Sequence, residues 1–256
     1  MISKYPRTPH LAGSRLQPGD EDLSQVPFAE VQGRHLVVEE KLDGANAAIS
    51  FTGDGKLRLQ SRGHFLSGGP RERQFAPLKS WANLVAPLLW PILGARFVLY
   101  GEWLYAKHTV FYDALPHYFC EFDILDRENG TFLDTPSRQT MLAGTPVVSV
   151  PVLRSGAFAT IGELTGLIAP STVRTPAWRE SLSAAAAKAG VRVPPTDPSD
   201  DMEGLYVKAE SDGRVTGRYK WVRAGFSQAI LESGEHWADR PIVPNGLADP
   251  AVMYAI

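Results

Sequence analysis

The residues from Val38 to Asn46 include a lysine whose surroundings suit a covalent nucleophile. Lys41 follows the apolar run 35–38, which predicts a buried strand, and Asp43-Gly44 follows two residues later. A free lysine has a pKa of about 10.4, so it must be desolvated or placed beside other cations to lose its proton. Lys-x-Asp-Gly therefore indicates lysine chemistry, although a strand that ends in an ordinary Asp-Gly turn has the same pattern.

Four further segments supply acidic and basic side chains in order along the chain. They are Leu99-Tyr100-Gly101-Glu102, Phe119-Cys120-Glu121-Phe122-Asp123, Glu203-Gly204-Leu205-Tyr206-Val207-Lys208 and Arg218-Tyr219-Lys220. Carboxylate oxygens are hard ligands, which makes Glu102 and Glu203 candidates for holding Mg²⁺ or ribose hydroxyls. Lys208 and Lys220 are candidate cations for phosphate, and their like charge would lower the pKa of Lys41. Alternatively, both lysines point from strands into solvent.

Together with the lysine segment, these motifs resemble the nucleotidyltransferase motifs of ATP-dependent polynucleotide ligases and capping enzymes. The resemblance spans nearly the whole chain. It implies that Lys41 attacks the α-phosphate of ATP, with Mg²⁺ or Mn²⁺ as cofactor, and becomes adenylated while pyrophosphate leaves. AMP then passes to an RNA 5′-phosphate, from which a 3′-hydroxyl displaces it.

The resemblance also implies which side chains hold the nucleotide. Phe122 resembles the aromatic residue that stacks on adenine, Glu40 a reader of the adenine amino group, and Glu102 a ribose contact. Arg62 falls where the family places a phosphate-binding arginine, and Glu203 where a residue works near the lysine and the metal. The other nucleotide-binding candidates are Asp43, Gly44, Asn46 and Arg218. Phe122 could instead be a core residue and Glu40 an exposed strand acid.

Asn46 favours RNA over DNA as the substrate. DNA ligases and capping enzymes typically carry Arg five residues after the lysine, whereas RNA ligases related to phage T4 RNA ligase 2 carry Asn there. The run 106–116 also resembles bacterial RNA ligases of this branch. The last motif departs from the family at Arg218, where lysine is usual; arginine keeps the charge but changes its geometry.

Two other classes of function share parts of this pattern. A minimal ATP-dependent DNA ligase or a GTP-using capping enzyme would differ in nucleotide labelling. A non-catalytic module that binds RNA ends would keep the pocket without the chemistry, but a decayed enzyme should lose some catalytic residues. The full set is present: Lys41, Glu102, Glu203, Lys208 and Lys220. The absence of Gly-x-Gly-x-x-Gly disfavours a redox protein that binds a dinucleotide.

The composition is that of an ordinary globular protein, with 256 residues, 44% apolar, 21% charged and a net charge of −2. Two basic clusters could form a phosphate track or solvated loops: Arg58, Arg62, His64, Arg71 and Arg73, then Arg214, Arg218, Lys220 and Arg223. The single cysteine, Cys120, excludes a disulfide framework. No apolar stretch suits a signal peptide or a membrane span, which favours a cytoplasmic protein without a membrane partner.

The pattern of elements predicts an α+β protein. Two hairpins are expected, with strands 47–51 and 57–61 around Gly53-Asp54-Gly55, and strands 204–210 and 215–222 around residues 211–214. Further strands are predicted at 96–105 and 118–126. A helix is predicted at 75–89, broken by Pro87 and Pro91, and another at 176–189, with Pro176 in its first turn.

Residues 1–256 are expected to form a single adenylyltransferase (RNA ligase) domain. The resemblance implies an ATP-grasp-like nucleotidyltransferase fold of antiparallel sheets flanked by helices. Only 36 residues follow Lys220, so no C-terminal oligonucleotide-binding (OB) domain is expected. The partners would be RNA ends, and sealing could also require an end-healing kinase or phosphatase.

Overall fold

The structure, a computed structural model, describes residues 2–16, 19–20, 22–226 and 241–254. Its strands are β1 (His10–Leu11), β2 (Gln25–Val26), β3 (Leu36–Glu40), β4 (Ala45–Phe51), β5 (Leu57–Ser61), β6 (Phe97–Trp103), β7 (Phe119–Asp126), β8 (Thr131–Leu133), β9 (Val148–Ser149), β10 (Val152–Gly156), β11 (Gly204–Ser211) and β12 (Arg214–Val222). Its α-helices are α1 (Ala76–Leu93), α2 (Thr135–Leu142), α3 (Ile161–Thr165) and α4 (Trp178–Lys188). In these residues no helix has the length and apolar character needed to cross a membrane.

The sheet consists of two antiparallel parts. One part has the strand order β10-β3-β11-β12 and the other β8-β7-β6-β4-β5; they join where Val215 of β12 pairs with Phe132 of β8. Short parallel pairings add β1 to β12 and β9 to β7. The chain passes from one part to the other between β3 and β4, so the lysine motif lies at their junction. This mixed, mainly antiparallel architecture confirms the predicted α+β class.

Helix α1 continues to Leu93 through Pro87 and Pro91, where the sequence predicted a break. Both prolines lie on the exposed face of the helix. The other face carries buried side chains at helical spacing: Leu78, Trp81, Ala82, Val85, Leu89 and Leu93. These residues pack into the core formed with β4 and β6. Burial of this apolar stripe outweighs the cost of a proline inside a helix, about 3 kcal/mol each.

Both predicted hairpins are confirmed. Strands β4 and β5 pair with Ala47 opposite Ser61. Strands β11 and β12 are joined through Asp212 and Gly213, whose φ angles are 53° and 76°. Two positive φ angles in succession are what a type I′ hairpin turn requires. The predicted strands at 96–105 and 118–126 correspond to β6 and β7.

The remaining helices show where the sequence gave weaker signals. The predicted helix at 176–189 is α4, but it starts at Trp178, so Pro176 precedes its first turn. Helix α2 was not predicted, although Asp134 caps it by accepting the Ser137 N–H at 3.0 Å. An Asp followed two residues later by Pro136 was therefore a usable start signal.

Candidate active site

A cavity of about 460 Å³ lies at the junction of the two sheet parts, a size that suits a nucleotide. Lys41 is in its wall, in the connection between β3 and β4. The predicted site residues that line the cavity are Glu40, Lys41, Asp43, Gly44, Asn46, Arg62, Glu102, Phe122, Glu203 and Lys220. Lys208 and Arg218 are outside this lining. The structure therefore brings most of the sequence-predicted set to one place.

Lys41 is ion-paired with Glu203. Its Nζ lies 2.6 Å from Glu203 Oε1, and its side chain is 24% exposed. Burial would lower the pKa of Lys41, but Glu203, with Asp43 and Glu102 nearby, raises it above its usual value. The prediction that neighbouring lysines depress this pKa is therefore wrong, because the carboxylates around the ammonium outweigh them.

Glu203 and Glu102 are carboxyl groups with pKa values shifted towards neutrality. Burial raises the pKa of Glu203 to about 7, although Lys41 opposes the shift. Burial likewise raises the pKa of Glu102 to about 8. The Gly44 N–H donates to Glu102 Oε1 at 3.0 Å, which fixes this carboxyl group beside the lysine motif. Carboxyl groups that titrate near neutral pH are suited to proton transfer.

Asp43 and Gly44 hold the backbone that surrounds the cavity. Asp43 Oδ2 accepts the N–H groups of Thr109 at 2.6 Å and Val110 at 2.7 Å. Its position thus fixes part of the run 106–116. A Cβ atom on Gly44 would lie 2.6 Å from the backbone oxygen of Trp103, so only glycine fits here. The Asp-Gly pair of the motif therefore has a structural reason independent of any ligand.

Lys208 lies behind the cavity rather than in its wall. The side chain is fully buried, with Nζ 2.9 Å from Glu39 Oε2 and 3.3 Å from Asp123 Oδ1. Arg138 of α2 binds Glu39 at 2.9 Å and Glu121 at 2.5 Å in the same network. In this position the charge of Lys208 is paired with carboxylates of β3 and β7, and its contact with the α-phosphate stays a prediction.

Lys220 and Arg218, the two cations of the last motif, have different surroundings. Lys220 lines the cavity, where its Nζ is ion-paired with Asp20. Burial lowers the pKa of Lys220, Asp20 opposes this, and Lys41 adds to it. The Arg218 guanidinium lies 3.8 Å from the ring centre of Phe132 and 3.9 Å from Asp123. Of these two, Lys220 is the one that faces the cavity.

Phe122 and Glu40 lie where a nucleotide base could contact them. Phe122 is half-buried in the cavity wall and packs edge-to-face on Tyr5, with ring centres 5.2 Å apart. Glu40 is buried, and its carboxylate accepts the Ser171 hydroxyl at 2.5 Å and the Thr172 N–H at 3.0 Å. It is therefore not an exposed strand acid. The roles of both residues towards adenine stay predictions.

Two buried oxygen atoms of the cavity residues are without partners. Among the described residues that line the cavity, Glu203 Oε2 and Asn46 Oδ1 have neither a hydrogen-bond donor nor an ion-pair partner, whereas Glu39 Oε2 lacks a hydrogen bond but is ion-paired with Lys208. Such atoms are costly unless a ligand or an ion satisfies them. With Glu102 they make a set of hard oxygen donors that fits Mg²⁺ or Mn²⁺. The described part of the chain holds no cluster of three or more His, Cys, Asp or Glu for a metal, so phosphate or water oxygens would have to complete the coordination.

Sequence reasoning missed the N-terminal part of the wall. Tyr5, Thr8 and Asp20 line the cavity but belong to no motif. Tyr5 donates a hydrogen bond to Asp123, which fixes its ring beside Phe122. These contacts join residues far apart in the chain, and local periodicity carries no signal for them.

Residues 34–222 match the family model of RNA ligases. The match spans more than half of the chain and includes Lys41, Glu102, Glu203 and Lys220. The chain belongs to the RNA ligase family. No curated protein matches it significantly.

Solved structures of RNA ligases have a similar fold. A variant of the Naegleria gruberi RNA ligase with ATP and Mn is 18% identical to this chain, with a TM-score of 0.51. The match covers 80% of this chain and 53% of the N. gruberi chain. A second, ligand-free variant of that ligase is 19% identical, with a TM-score of 0.52, and the match covers 93% of this chain and 58% of the variant. An archaeal ATP-dependent RNA ligase is 14% identical, with a TM-score of 0.54, and the match covers 88% of this chain and 49% of the archaeal chain. The chain thus spans about half the length of the RNA ligases that share its fold.

Proposed function

We propose that the chain is an ATP-dependent RNA ligase, of the branch related to phage T4 RNA ligase 2, in which Lys41 carries AMP. The proposal depends above all on the Lys41–Glu203 pair, 2.6 Å apart, in a nucleotide-sized cavity of an RNA ligase family member. The N. gruberi RNA ligase has been solved with ATP and Mn and with AMP and Mn. Those complexes support ATP and a divalent metal as cofactors here.

In the first step, Lys41 Nζ attacks the α-phosphorus of ATP. The bond from that phosphorus to the bridging oxygen of the β-phosphate breaks, and pyrophosphate leaves. The ammonium proton passes to Glu203 Oε1, which already lies 2.6 Å from Nζ. Lys220 neutralises phosphate charge from the cavity wall. Glu102 and the other oxygen of Glu203, Oε2, would hold a divalent cation, which would supply further charge neutralisation.

The later steps transfer AMP and join the ends. The RNA 5′-phosphate displaces Lys41 from AMP, and the 3′-hydroxyl of a second end then displaces AMP. Exposed Arg62, at the cavity wall, is positioned to bind an entering phosphate. Phe122 stacks on adenine, Glu40 reads its amino group, and Glu102 contacts the ribose. Asn46 lies opposite Glu102 in the β4–β6 pairing, and its free oxygen is available to the terminal phosphate through a bound water or metal.

The proposal extends to the biological setting. Residues 1–256 act as one adenylyltransferase domain in the cytoplasm, in RNA repair, on ends that a kinase or phosphatase has prepared. DNA ligase and capping-enzyme activities are the alternatives. Asn46 and the family model support RNA over both.

Intact-mass measurement after incubation with ATP and Mg²⁺ tests the proposal directly. We expect a mass increase of one AMP in the wild type, none in Lys41→Ala, and little or none when GTP replaces ATP. Lys4→Ala is the matched control, because Lys4 is exposed and outside the cavity lining. A wild type that takes up no nucleotide of any kind contradicts the proposal.

A further inference from the structure

The N-terminal segment precedes the region matched to the RNA ligase family, yet it forms part of the cavity wall. The match begins at residue 34, whereas Tyr5, Thr8 and Asp20 line the same cavity as Lys41. The family match therefore does not account for everything that surrounds the proposed nucleotide.

The segment is attached to the strand that carries Lys220. Strand β1 pairs with β12 so that His10 lies opposite Lys220, and the Lys220 N–H donates to the backbone oxygen of Pro9 at 3.0 Å. The Ser14 hydroxyl accepts the Val222 N–H at 2.9 Å. The backbones of the segment and of β12 are thus held in fixed register.

The contact with most chemical consequence is the ion pair between Asp20 and Lys220. In the described ranges, Asp20 is the one carboxylate within ion-pair distance of the Lys220 ammonium. Asp20 is itself held from other directions, by His10 Nε2 at 3.1 Å and by Arg7 at 3.4 Å. Burial would raise the pKa of Asp20, but Lys220 and His10 lower it, so it is charged at neutral pH. Asp20 is therefore a fixed anchor, and the flexible lysine stem is the part that it immobilises.

We propose that Asp20 is a positioning residue that holds the Lys220 ammonium at the cavity wall, oriented for the phosphates of the nucleotide. The inference rests on the proposed function. An ammonium group has three N–H donors, so the bond to Asp20 leaves two for phosphate oxygens. Without Asp20, the four-carbon stem would have to be ordered by the nucleotide itself, at a cost in side-chain entropy.

ATP binding in a protein that cannot react provides the first test. In a Lys41→Ala background, Asp20→Asn should weaken ATP binding, measured by calorimetry, by about 10-fold, the scale of one charge-assisted interaction. Asp22→Asn is the matched control, because Asp22 binds Arg7 but is 69% exposed and does not line the cavity. The control should bind ATP as the Lys41→Ala protein does. Unchanged or tighter binding by Asp20→Asn overturns the proposal, tighter binding because it would make Asp20 a competitor of phosphate.

A double-mutant cycle separates positioning from a structural role. Asp20→Asn should slow single-turnover adenylation about 10-fold with an unchanged melting temperature, and Asp20→Glu should restore part of the rate. In a Lys220→Ala background, Asp20→Asn should add almost nothing, because Asp20 acts through Lys220. Independent, additive losses overturn the proposal. A wild type that never adenylates counts against the proposed function, and the ATP-binding experiment still decides the role of Asp20.

Discussion

At the scale of single residues, the cavity arranges charge so that one lysine is paired with an acid able to take its proton. Lys41 has a raised pKa because Glu203 lies 2.6 Å away. The same contact offsets part of the burial that raises the pKa of Glu203 to about 7. In the proposed mechanism, Lys41 is activated by a proton acceptor in contact with it, whereas the sequence suggested activation by the like charges of neighbouring lysines.

Lys208 gives a prediction that separates structure from chemistry. Removing this buried cation leaves the network around Glu39 and Asp123 with an uncompensated negative charge, so Lys208→Ala should lower the free energy of unfolding by about 3–5 kcal/mol. Urea denaturation measures this loss. Lys208→Met fills most of the volume and serves as a second variant, with the charge removed. Loss of adenylation by either variant at unchanged stability would support the catalytic role that the sequence predicted for Lys208.

The difference between Lys208 and Lys220 shows what a motif can and cannot predict. Both lysines lie on neighbouring strands, and their sequence contexts look equally suited to phosphate. What separates them is the arrangement of distant acids. Glu39 and Asp123 surround Lys208, whereas Asp20 holds Lys220 in the cavity wall. These partners come from three other parts of the chain, so no local pattern distinguishes the two lysines.

At the scale of elements, close backbone contacts explain the glycines of the motifs. A Cβ atom on Gly204 would lie 2.1 Å from the backbone oxygen of Trp221, where β11 and β12 begin to pair. Gly204 also accepts the Lys41 N–H at 3.0 Å. The glycine after Glu203 thus lets the two strands and the lysine motif approach one another.

Gly204→Ala should therefore disturb the lysine motif as well as the hairpin. We expect a loss of at least about 2 kcal/mol in the free energy of unfolding, the cost of overpacking a tight contact, together with slower adenylation. Thermal unfolding and single-turnover labelling provide the two measurements. Gly53→Ala is the control, because Gly53 has open space around its Cβ position and no positive φ. Equal behaviour of the two variants would contradict the steric explanation.

The end of β7 supplies a prediction for the pH dependence of stability. Arg96 lowers the pKa of Asp126 to about 2, with Nε 2.9 Å from Oδ1. A carboxylate whose pKa is depressed on folding stabilises the fold above its usual pKa and loses that contribution as the pH falls towards 2. Asp126→Asn should therefore lower stability at neutral pH, and its difference from wild type should disappear near pH 2. Acid titrations of the two proteins test this; a difference that stays constant would contradict it.

Element type was easier to predict than element limits. Alternating residues and the Asp212-Gly213 turn were enough for the β11–β12 hairpin, because both signals are local. The break predicted at Pro87 was wrong because the energy that carries α1 through its prolines comes from burial against β4 and β6. Helix propensities describe only the local sequence, so they do not include the energy of this tertiary packing.

At the scale of the whole molecule, Lys41 and Glu203 line a cavity between two sheet parts, and the chain passes from one part to the other at the lysine motif and back again between β9 and β10. Glu39 and Lys208 belong to the first part and Glu121 and Asp123 to the second. Arg138 binds across both. The ion-pair network therefore ties the two walls of the cavity together, and the partly exposed Lys41 and the buried Glu203 lie between them. The motifs predicted which residues meet, but the structure was needed to show this support.

Separation of the three chemical steps tests the whole arrangement, because in the proposed mechanism Lys41 is required as a carrier of AMP and not for the final joining. RNA that already bears a 5′-adenylate needs only attack by a 3′-hydroxyl, for which metal and cations suffice. Lys41→Ala should fail with ATP and 5′-phosphorylated RNA yet join pre-adenylated RNA, whereas Glu203→Ala should lose both activities. Gel assays with matched RNA and DNA strands measure these outcomes. Joining of pre-adenylated ends by Glu203→Ala would show that Glu203 is needed only for the first step. Sealing of a DNA 3′-hydroxyl strand that equals or exceeds sealing of the RNA strand would overturn the RNA preference inferred from Asn46.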